Sequence, residues 1–307
     1  MGMVLKFVFF FDSVNIEKTR VVWVPSLLFH DHRKVIQLLE QFTSFDLKKI
    51  LHQLFLIPAP FLKPVSHYFF QARGKHQNNR SLVRPPFNLG LEFAGIVSSA
   101  PIGSQYSSGD RVFGSGLGSY AEQIAVNGAT LHHIPKDWDF RDAAGLAATA
   151  PVSYGALITR GRLQRGETVL IHAAAGGLGA MAIQISKAVG ARVIATAGSQ
   201  AKLDVAKDFG ADECVNYETN PEWWKEVLQL TNGKGVDVVY DPVGRVSGSL
   251  KCLKQKGRIL VIGFAGTEGN IERIATNRIL LRQVQIIGYV SRNKLGCLPL
   301  TFTSVSV

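Results

Sequence analysis

Residues 169–179 read Val-Leu-Ile-His-Ala-Ala-Ala-Gly-Gly-Leu-Gly, and no other stretch limits the fold as much. Three apolar strand formers run into a cluster of residues small enough for a tight turn. An apolar segment with helical periodicity then follows, over residues 177–189, with Gly190 as its stop. The spacing Ala174-x-Gly176-Gly177-x-Gly179 is a variant of Gly-x-Gly-x-x-Gly. In a strand–turn–helix unit such residues let backbone amides approach an anion, while the helix N-terminus adds partial positive charge. Pyrophosphate is the anion that suits this setting, so Ala174, Gly176, Gly177, Leu178 and Gly179 are expected contacts of a dinucleotide. Gly179 is expected to let helix and strand pack closely.

The rest of this half of the chain keeps the same rhythm. Strands are predicted over residues 168–173, 192–197, 214–217, 236–240, 258–263 and 285–290. Helices are predicted over 177–189, 201–209, 221–230 and 246–253. A further helix over 142–160, rich in small residues, is expected to be kinked or divided by Pro151. Short apolar strands alternating with helices imply a parallel sheet covered on both faces, the doubly wound α/β Rossmann fold. Cofactor preference is written at the end of the second strand. Units that bind NAD usually place Asp or Glu there to hold the ribose hydroxyls. Here Ala195-Thr196-Ala197-Gly198 runs on to Ser199 and Lys202 without an acid. A hydroxyl and an ammonium suit a 2′-phosphate, so NADP(H) is favoured over NAD(H). Ser199 as a helix cap and Lys202 as a solvated charge is the plainer reading, and both hold together.

Other regions bound the function by exclusion. Hydrophobic residues make up 46% and charged residues 19%, a globular composition. The formal charge of +11 is dispersed, and even its densest group, between Arg73 and Arg84, is loosely spaced. It is expected to draw in anionic dinucleotides rather than to bind nucleic acid. Three cysteines (Cys214, Cys252, Cys297) without a Cys-x-x-Cys pair offer no disulfide framework and no zinc knuckle. The apolar run at 7–11 ends at Asp12, too soon for a membrane span. A cytoplasmic protein is expected, with a mitochondrial one left open. Residues 1–65 are rich in Leu, Phe, Val and Lys and read as partly helical, with helices expected around 35–42 and 47–55. From 85 to 135, short strands and turns suggest part of a small β-barrel.

Several motifs together resemble a known family. They are Gly90-Leu91-Glu92-Phe93-Ala94-Gly95, Gly109-Asp110-Arg111-Val112, Gly118-Ser119-Tyr120-Ala121-Glu122, residues 173–179, Gly210-Ala211-Asp212, residues 235–244 and Gly257-Arg258. In order and spacing the chain is similar to the zinc-independent medium-chain dehydrogenases/reductases of the quinone oxidoreductase, or zeta-crystallin-like, type. That resemblance implies a GroES-like β-barrel domain at 66–145 and a Rossmann domain at 146–290, with the active site in the cleft between them. It also implies hydride transfer from NADPH to a quinone or an α,β-unsaturated carbonyl. By position, Ser199, Lys202 and Tyr217 resemble the 2′-phosphate contacts. Val261, Gly263 and Phe264 fall at the strand end beside the nicotinamide, and Ser153 stands where relatives often have Thr near that ring. Zinc-dependent relatives carry His where this chain has Leu91, and Leu cannot ligate a metal, so no metal is expected. His132-His133 reads as an ordinary loop pair. The family often forms dimers through its Rossmann domains.

Both ends depart from the family pattern. Residues 65–68 lack an expected Asn, residues before them read as helical rather than stranded, and 291–307 form an atypical tail. The barrel domain therefore reads as incomplete. Three functions stay open: an NADPH-dependent quinone reductase; a 2-enoyl thioester reductase, for which Tyr68 is a weak proton-donor candidate; and a catalytically impaired dinucleotide-binding protein.

Overall fold

The computed structural model describes residues 3–6, 88, 90–267 and 272–290, with the backbone alone described for 3–6. Two compact units divide between Ala148 and Thr149. The helices expected within 1–65, as well as Tyr68, lie outside the described residues, as do residues 7–87, on which the expectation of an incomplete barrel turns.

The first unit holds a five-stranded antiparallel sheet in the order β4-β1-β2-β3-β5. Its strands are β1 (Met3–Lys6), β2 (Glu92–Ser99), β3 (Arg111–Ser115), β4 (Gln123–Val126) and β5 (Leu131–His133). Strand β1 was not assigned from the sequence; Met3–Lys6 fills the gap between β2 and β4 and pairs with both. Phe93, Val97, Tyr106, Val112 and Leu131 pack together inside this unit. The Tyr106 hydroxyl donates to the Leu131 carbonyl (2.6 Å), which satisfies the polar end of a buried ring. His132 and His133 belong to β5 rather than to a loop, and their rings pack on Phe113 and Tyr106.

The 142–160 segment, expected to be kinked or divided at Pro151, is divided into α1 (Phe140–Ala144), α2 (Thr149–Tyr154) and a π-helical turn at Gly155–Arg160. The break falls at 145–148, ahead of Pro151. Pro151 then sits in the first turn of α2, where no intrahelical N–H is needed. Asp139 starts α1 with a reciprocal capping box to Asp142. The Glu92 side chain accepts the Ala148 amide (2.7 Å) and fixes the backbone at the end of this unit.

The second unit is a six-stranded sheet in the order β11-β10-β9-β6-β7-β8. It comprises β6 (Thr168–Ile171), β7 (Arg192–Ala197), β8 (Glu213–Asn216), β9 (Val236–Asp241), β10 (Leu253–Val261) and β11 (Gln285–Gly288). All neighbouring pairs are parallel. The order starts at β6, runs outward one way to β8, then jumps back to β9 and outward the other way. This is the Rossmann order, with its switch point between β6 and β9. The connections are α3 (Gly177–Val189), α4 (Gln200–Asp208), α5 (Trp223–Leu230), α6 (Val246–Cys252) and α7 (Thr276–Arg282). Alternation within the strands builds two cores. Val169, Ile171, Val193, Ala195, Val238, Tyr240 and Leu260 face one side, and Leu170, Ile194, Val239 and Ile259 face the other. Strand β10 starts earlier than the sequence suggests. Leu253 makes an isolated pair with Val236, the register then slips, and the continuous ladder runs from Arg258.

Leu170 is fully buried at the centre of the sheet, whereas Leu117 is 55% exposed. Leu170→Ala is expected to lower unfolding free energy by about 2–5 kcal/mol. Leu117→Ala should change it by less than about 0.5 kcal/mol. Urea unfolding of the two variants beside the parent chain checks this.

Candidate functional site

The carboxyl ends of β6, β7, β9 and β10 carry the residues singled out in the sequence. At the end of β6 the backbone turns sharply, with Ala173 in the left-handed region (φ 49). The Gly176 amide donates back to the Ala173 carbonyl (2.9 Å), and Ala180 closes the first α-helical bond to Gly176 (2.8 Å). Gly179 packs directly on the turn. A Cβ there would stand 2.4 Å from the Ala173 carbonyl oxygen and 2.7 Å from Ala174 Cα, so any side chain would force helix and strand apart.

Helix α3 begins at Gly177 with Gly176 as its N-cap, and no side chain caps it. The amides of Gly177, Leu178 and Gly179 come before the first intrahelical bond and have no helical acceptor. Gly176 and Gly177 are exposed. The result is an uncapped, solvent-facing helix start flanked by residues without side chains. Its free donors and dipole suit the oxygens of a pyrophosphate. Ala174 is buried, with its amide bonded to the Thr196 carbonyl (3.1 Å), so its part is to hold the turn.

The second strand ends beside this turn. Ser199 occupies the N-cap position of α4, yet its hydroxyl makes no capping bond and no other hydrogen bond among the described residues. The Lys202 ammonium, half-buried in the first turn of α4, likewise has no hydrogen-bonding or acidic partner among the described residues. Tyr217, just past β8, donates its amide to the Ala197 carbonyl (3.2 Å), and its ring edge lies against Gly198. These three side chains thus gather around the end of β7, with two polar heads unengaged. Residues 261–264 lie at the carboxyl end of β10, where the Ile262 amide bonds to the Asp241 carbonyl (2.8 Å). That places Val261, Gly263 and Phe264 next to the loop that follows β9.

Ser153 is placed differently from a residue that meets substrate. It is fully buried in α2. Its hydroxyl donates to the Leu178 carbonyl (3.1 Å) and accepts from the Tyr240 hydroxyl (2.9 Å). It therefore ties α2 and β9 to the first turn of α3. Burial raises the Tyr240 phenol well above its ordinary pKa, so it stays protonated and able to donate.

Two buried polar residues were not recognised in the sequence. His172 is fully buried at the end of β6. Its Nδ1 lies 2.8 Å from Thr196 Oγ1 and its Nε2 lies 2.9 Å from Ser249 Oγ. The Ser249 hydroxyl gives its proton to the Arg245 carbonyl (2.8 Å), so Nε2 carries the imidazole hydrogen and Nδ1 accepts from Thr196. Asp241, also fully buried, ends β9 and accepts the amides of Val243, Gly244 and Arg245 (2.9, 2.8 and 2.6 Å). Burial pushes its carboxyl up, and the three amides oppose that shift. Asp241 follows an apolar strand and precedes Pro-Val-Gly, a turn signal that marks where a carboxylate would fold back on its own backbone. His172 has no such local signal, because its partners lie 24 and 77 residues away. No group of three or more potential metal ligands occurs among the described residues.

This fold, with its glycine-rich turn at the carboxyl end of β6, defines the Rossmann class of dinucleotide-binding units. Residues 177–301 match the family model described as "Zinc-binding dehydrogenase". The chain is similar to quinone oxidoreductase-like protein 2 of Rattus norvegicus, 41% identical over 225 residues that cover 70% of this chain and 61% of that protein. The corresponding Bos taurus protein is 38% identical over 245 residues, covering 76% of this chain and 67% of the relative. Among solved structures, the Escherichia coli quinone oxidoreductase complexed with NADPH superposes with a TM-score of 0.62 at 29% identity, covering 72% of this chain and 69% of that one. The chain belongs to the medium-chain dehydrogenase/reductase family, in its zinc-independent, quinone oxidoreductase-type branch. Its match spans about three fifths of the length of the rat relative.

Burial, and then the nearby Arg245 charge, lower the pKa of His172 to about 3. Below its ordinary value of 6.5 the unfolded chain takes up a proton here that the native chain refuses. Stability that is fully present above pH 6.5 is then lost at about 1.4 kcal/mol per pH unit as the pH falls toward 3. Between about pH 6 and about pH 4.5 the parent should lose roughly 2 kcal/mol more than His172→Gln. Parallel pH slopes in urea unfolding would show that His172 is not held neutral.

Proposed function

We propose that the chain is an NADPH-dependent oxidoreductase that delivers hydride to a quinone or a similarly electron-poor carbonyl without a metal. The observation that carries this reading is the pairing of an uncapped glycine helix start with unengaged Ser199 and Lys202 at the end of β7. Pyrophosphate fits the first, and a ribose 2′-phosphate fits the second. An acid at the end of β7 would repel that phosphate, and the strand has none. NADPH, when bound, supplies the hydride.

The protein's own residues bind and orient. The amides of Gly177, Leu178 and Gly179 donate to the pyrophosphate oxygens without a proton change. Lys202 contributes a full positive charge, and Ser199 and Tyr217 contribute hydroxyls. Val261, Gly263 and Phe264 flank the nicotinamide end. Ser153, bonded to the Leu178 carbonyl, sets the start of α3 from behind and does not reach the reacting atoms. Quinones accept hydride readily, so positioning supplies most of what catalysis needs.

The test begins with calorimetric titration of the purified chain with NADPH and with NADH. A quinone and a 2-enoyl thioester are then added in separate assays that follow NADPH consumption. Tight NADPH-preferring binding with quinone turnover is the expected result. Thioester turnover alone would replace the substrate class, and binding without either would leave a dinucleotide-binding protein. Lys202→Ala should weaken NADPH about tenfold, the worth of one charge-assisted hydrogen bond, and change NADH by less than about twofold.

A further inference from the structure

Arg245 follows the Pro242-Val243-Gly244 turn and opens α6 at the switch side of the sheet. Its guanidinium carbon stands 3.9 Å from the centre of the Tyr217 ring, a stacked cation–π contact. The guanidinium makes no ion pair and no hydrogen bond among the described residues. Among the described residues, Arg245 bonds through its backbone. The amide goes to Asp241 Oδ2 (2.6 Å), and the carbonyl receives the Ser249 hydroxyl (2.8 Å). Both partners are fully buried, and His172 fixes Ser249 in turn. Nearby acids do not engage the head directly. Asp241 uses both oxygens on backbone amides, and Glu272 accepts the Ser247 amide (3.1 Å). Both feel the guanidinium charge through space.

A half-buried guanidinium with a rigidly held backbone and five uncommitted donors is prepared for an anion. The Tyr217 ring joins it to the end of β7. A Cβ at Gly198 would lie 3.2 Å from the Tyr217 hydroxyl, and Ser199 is the next residue. Arg245 and Tyr217 therefore stand beside Gly198, the residue before Ser199, where the loops after β9, β8 and β7 meet.

We infer that Arg245 is a specificity-determining residue of the cofactor site, with its guanidinium, stacked on Tyr217, gripping the 2′-phosphate of NADP(H). This rests on the NADP(H) reading above and adds a residue to it. Arginine suits the task because its planar fork binds phosphate through two parallel hydrogen bonds while its face stays on an aromatic ring. Two cations, Lys202 and Arg245, then approach the phosphate from different strand ends. Asp241, Ser249 and His172 act as positioning residues for Arg245.

The test measures dissociation constants by calorimetry for NADPH, NADH, adenosine 2′,5′-bisphosphate and adenosine 5′-monophosphate. The full chain is compared with Arg245→Ala, Arg245→Lys and Arg245→Gln. Arg245→Ala is expected to weaken NADPH and the bisphosphate about tenfold or more and to leave NADH and the monophosphate within about twofold. Arg245→Lys should restore part of the loss. Where Arg245→Ala melts below the assay temperature, Arg245→Gln carries the same comparison with the side-chain stem retained. Equal weakening of all four ligands would make Arg245 a structural residue and overturn the inference, as would unchanged NADPH binding. The parent chain separates the two levels. A parent that prefers NADPH while the variants keep that preference overturns the role of Arg245 alone. A parent without any preference removes the NADP(H) reading, and the inference with it.

Discussion

Gly179 lies so close to the end of β6 that a single methyl group would meet the Ala173 carbonyl oxygen at 2.4 Å. Much of the second unit follows from that contact. Because helix and strand touch there, the chain must reverse within a few residues, and only small residues can make the reversal. Because the N-cap is Gly176, no side chain caps the helix, and the amides of Gly177, Leu178 and Gly179 are left without a helical acceptor. The close packing of α3 on the sheet and the uncapped start of that helix are consequences of one steric fact. The hydrophobic core supplies most of the stability, but it does not determine where the free donors point.

Around this turn the sheet ends in buried polar bonds rather than in apolar packing alone. His172 links β6 to Thr196 on β7 and to Ser249 on α6. Asp241 folds the chain after β9 back on three of its own amides. Tyr240 and Ser153 reach from β9 and α2 to the Leu178 carbonyl. Burying such groups is unfavourable unless each finds a partner, and here each does. The fixed geometry gives the loops around the cofactor site little freedom, which lowers the ordering cost of binding a long, flexible dinucleotide.

The Rossmann unit was legible because its signals are local. Helix α3 and strand β7 have the bounds expected from periodicity, since apolar spacing and a glycine stop define them. The division of the 142–160 segment was misplaced, because Pro151 is tolerated in a first turn and residues 145–148 carry no strong breaker except Gly145. Helix α7 was missed because none of its residues is buried, and Leu280 and Leu281 are exposed, so it shows no one-sided apolar pattern. Strand β1 was missed because its pairing partners lie about ninety and one hundred and twenty residues away. The glycines could be singled out from local spacing, and Ser199, Lys202 and Tyr217 from position in the family pattern. Arg245 and His172 were not, because their meaning depends on side chains brought together only by the sheet order.

Dinucleotide binding at the start of α3 is tested most directly by amide hydrogen exchange followed by mass spectrometry, with and without saturating NADPH. In the proposed complex the pyrophosphate sits on the amides of Gly177, Leu178 and Gly179 and the 2′-phosphate at the end of β7. Peptides covering residues 174–180 and 198–203 should therefore show slower exchange on addition of NADPH, with NADH slowing the first segment more than the second. Unchanged exchange in 174–180 under saturating NADPH would contradict the central claim that this helix start is the dinucleotide site.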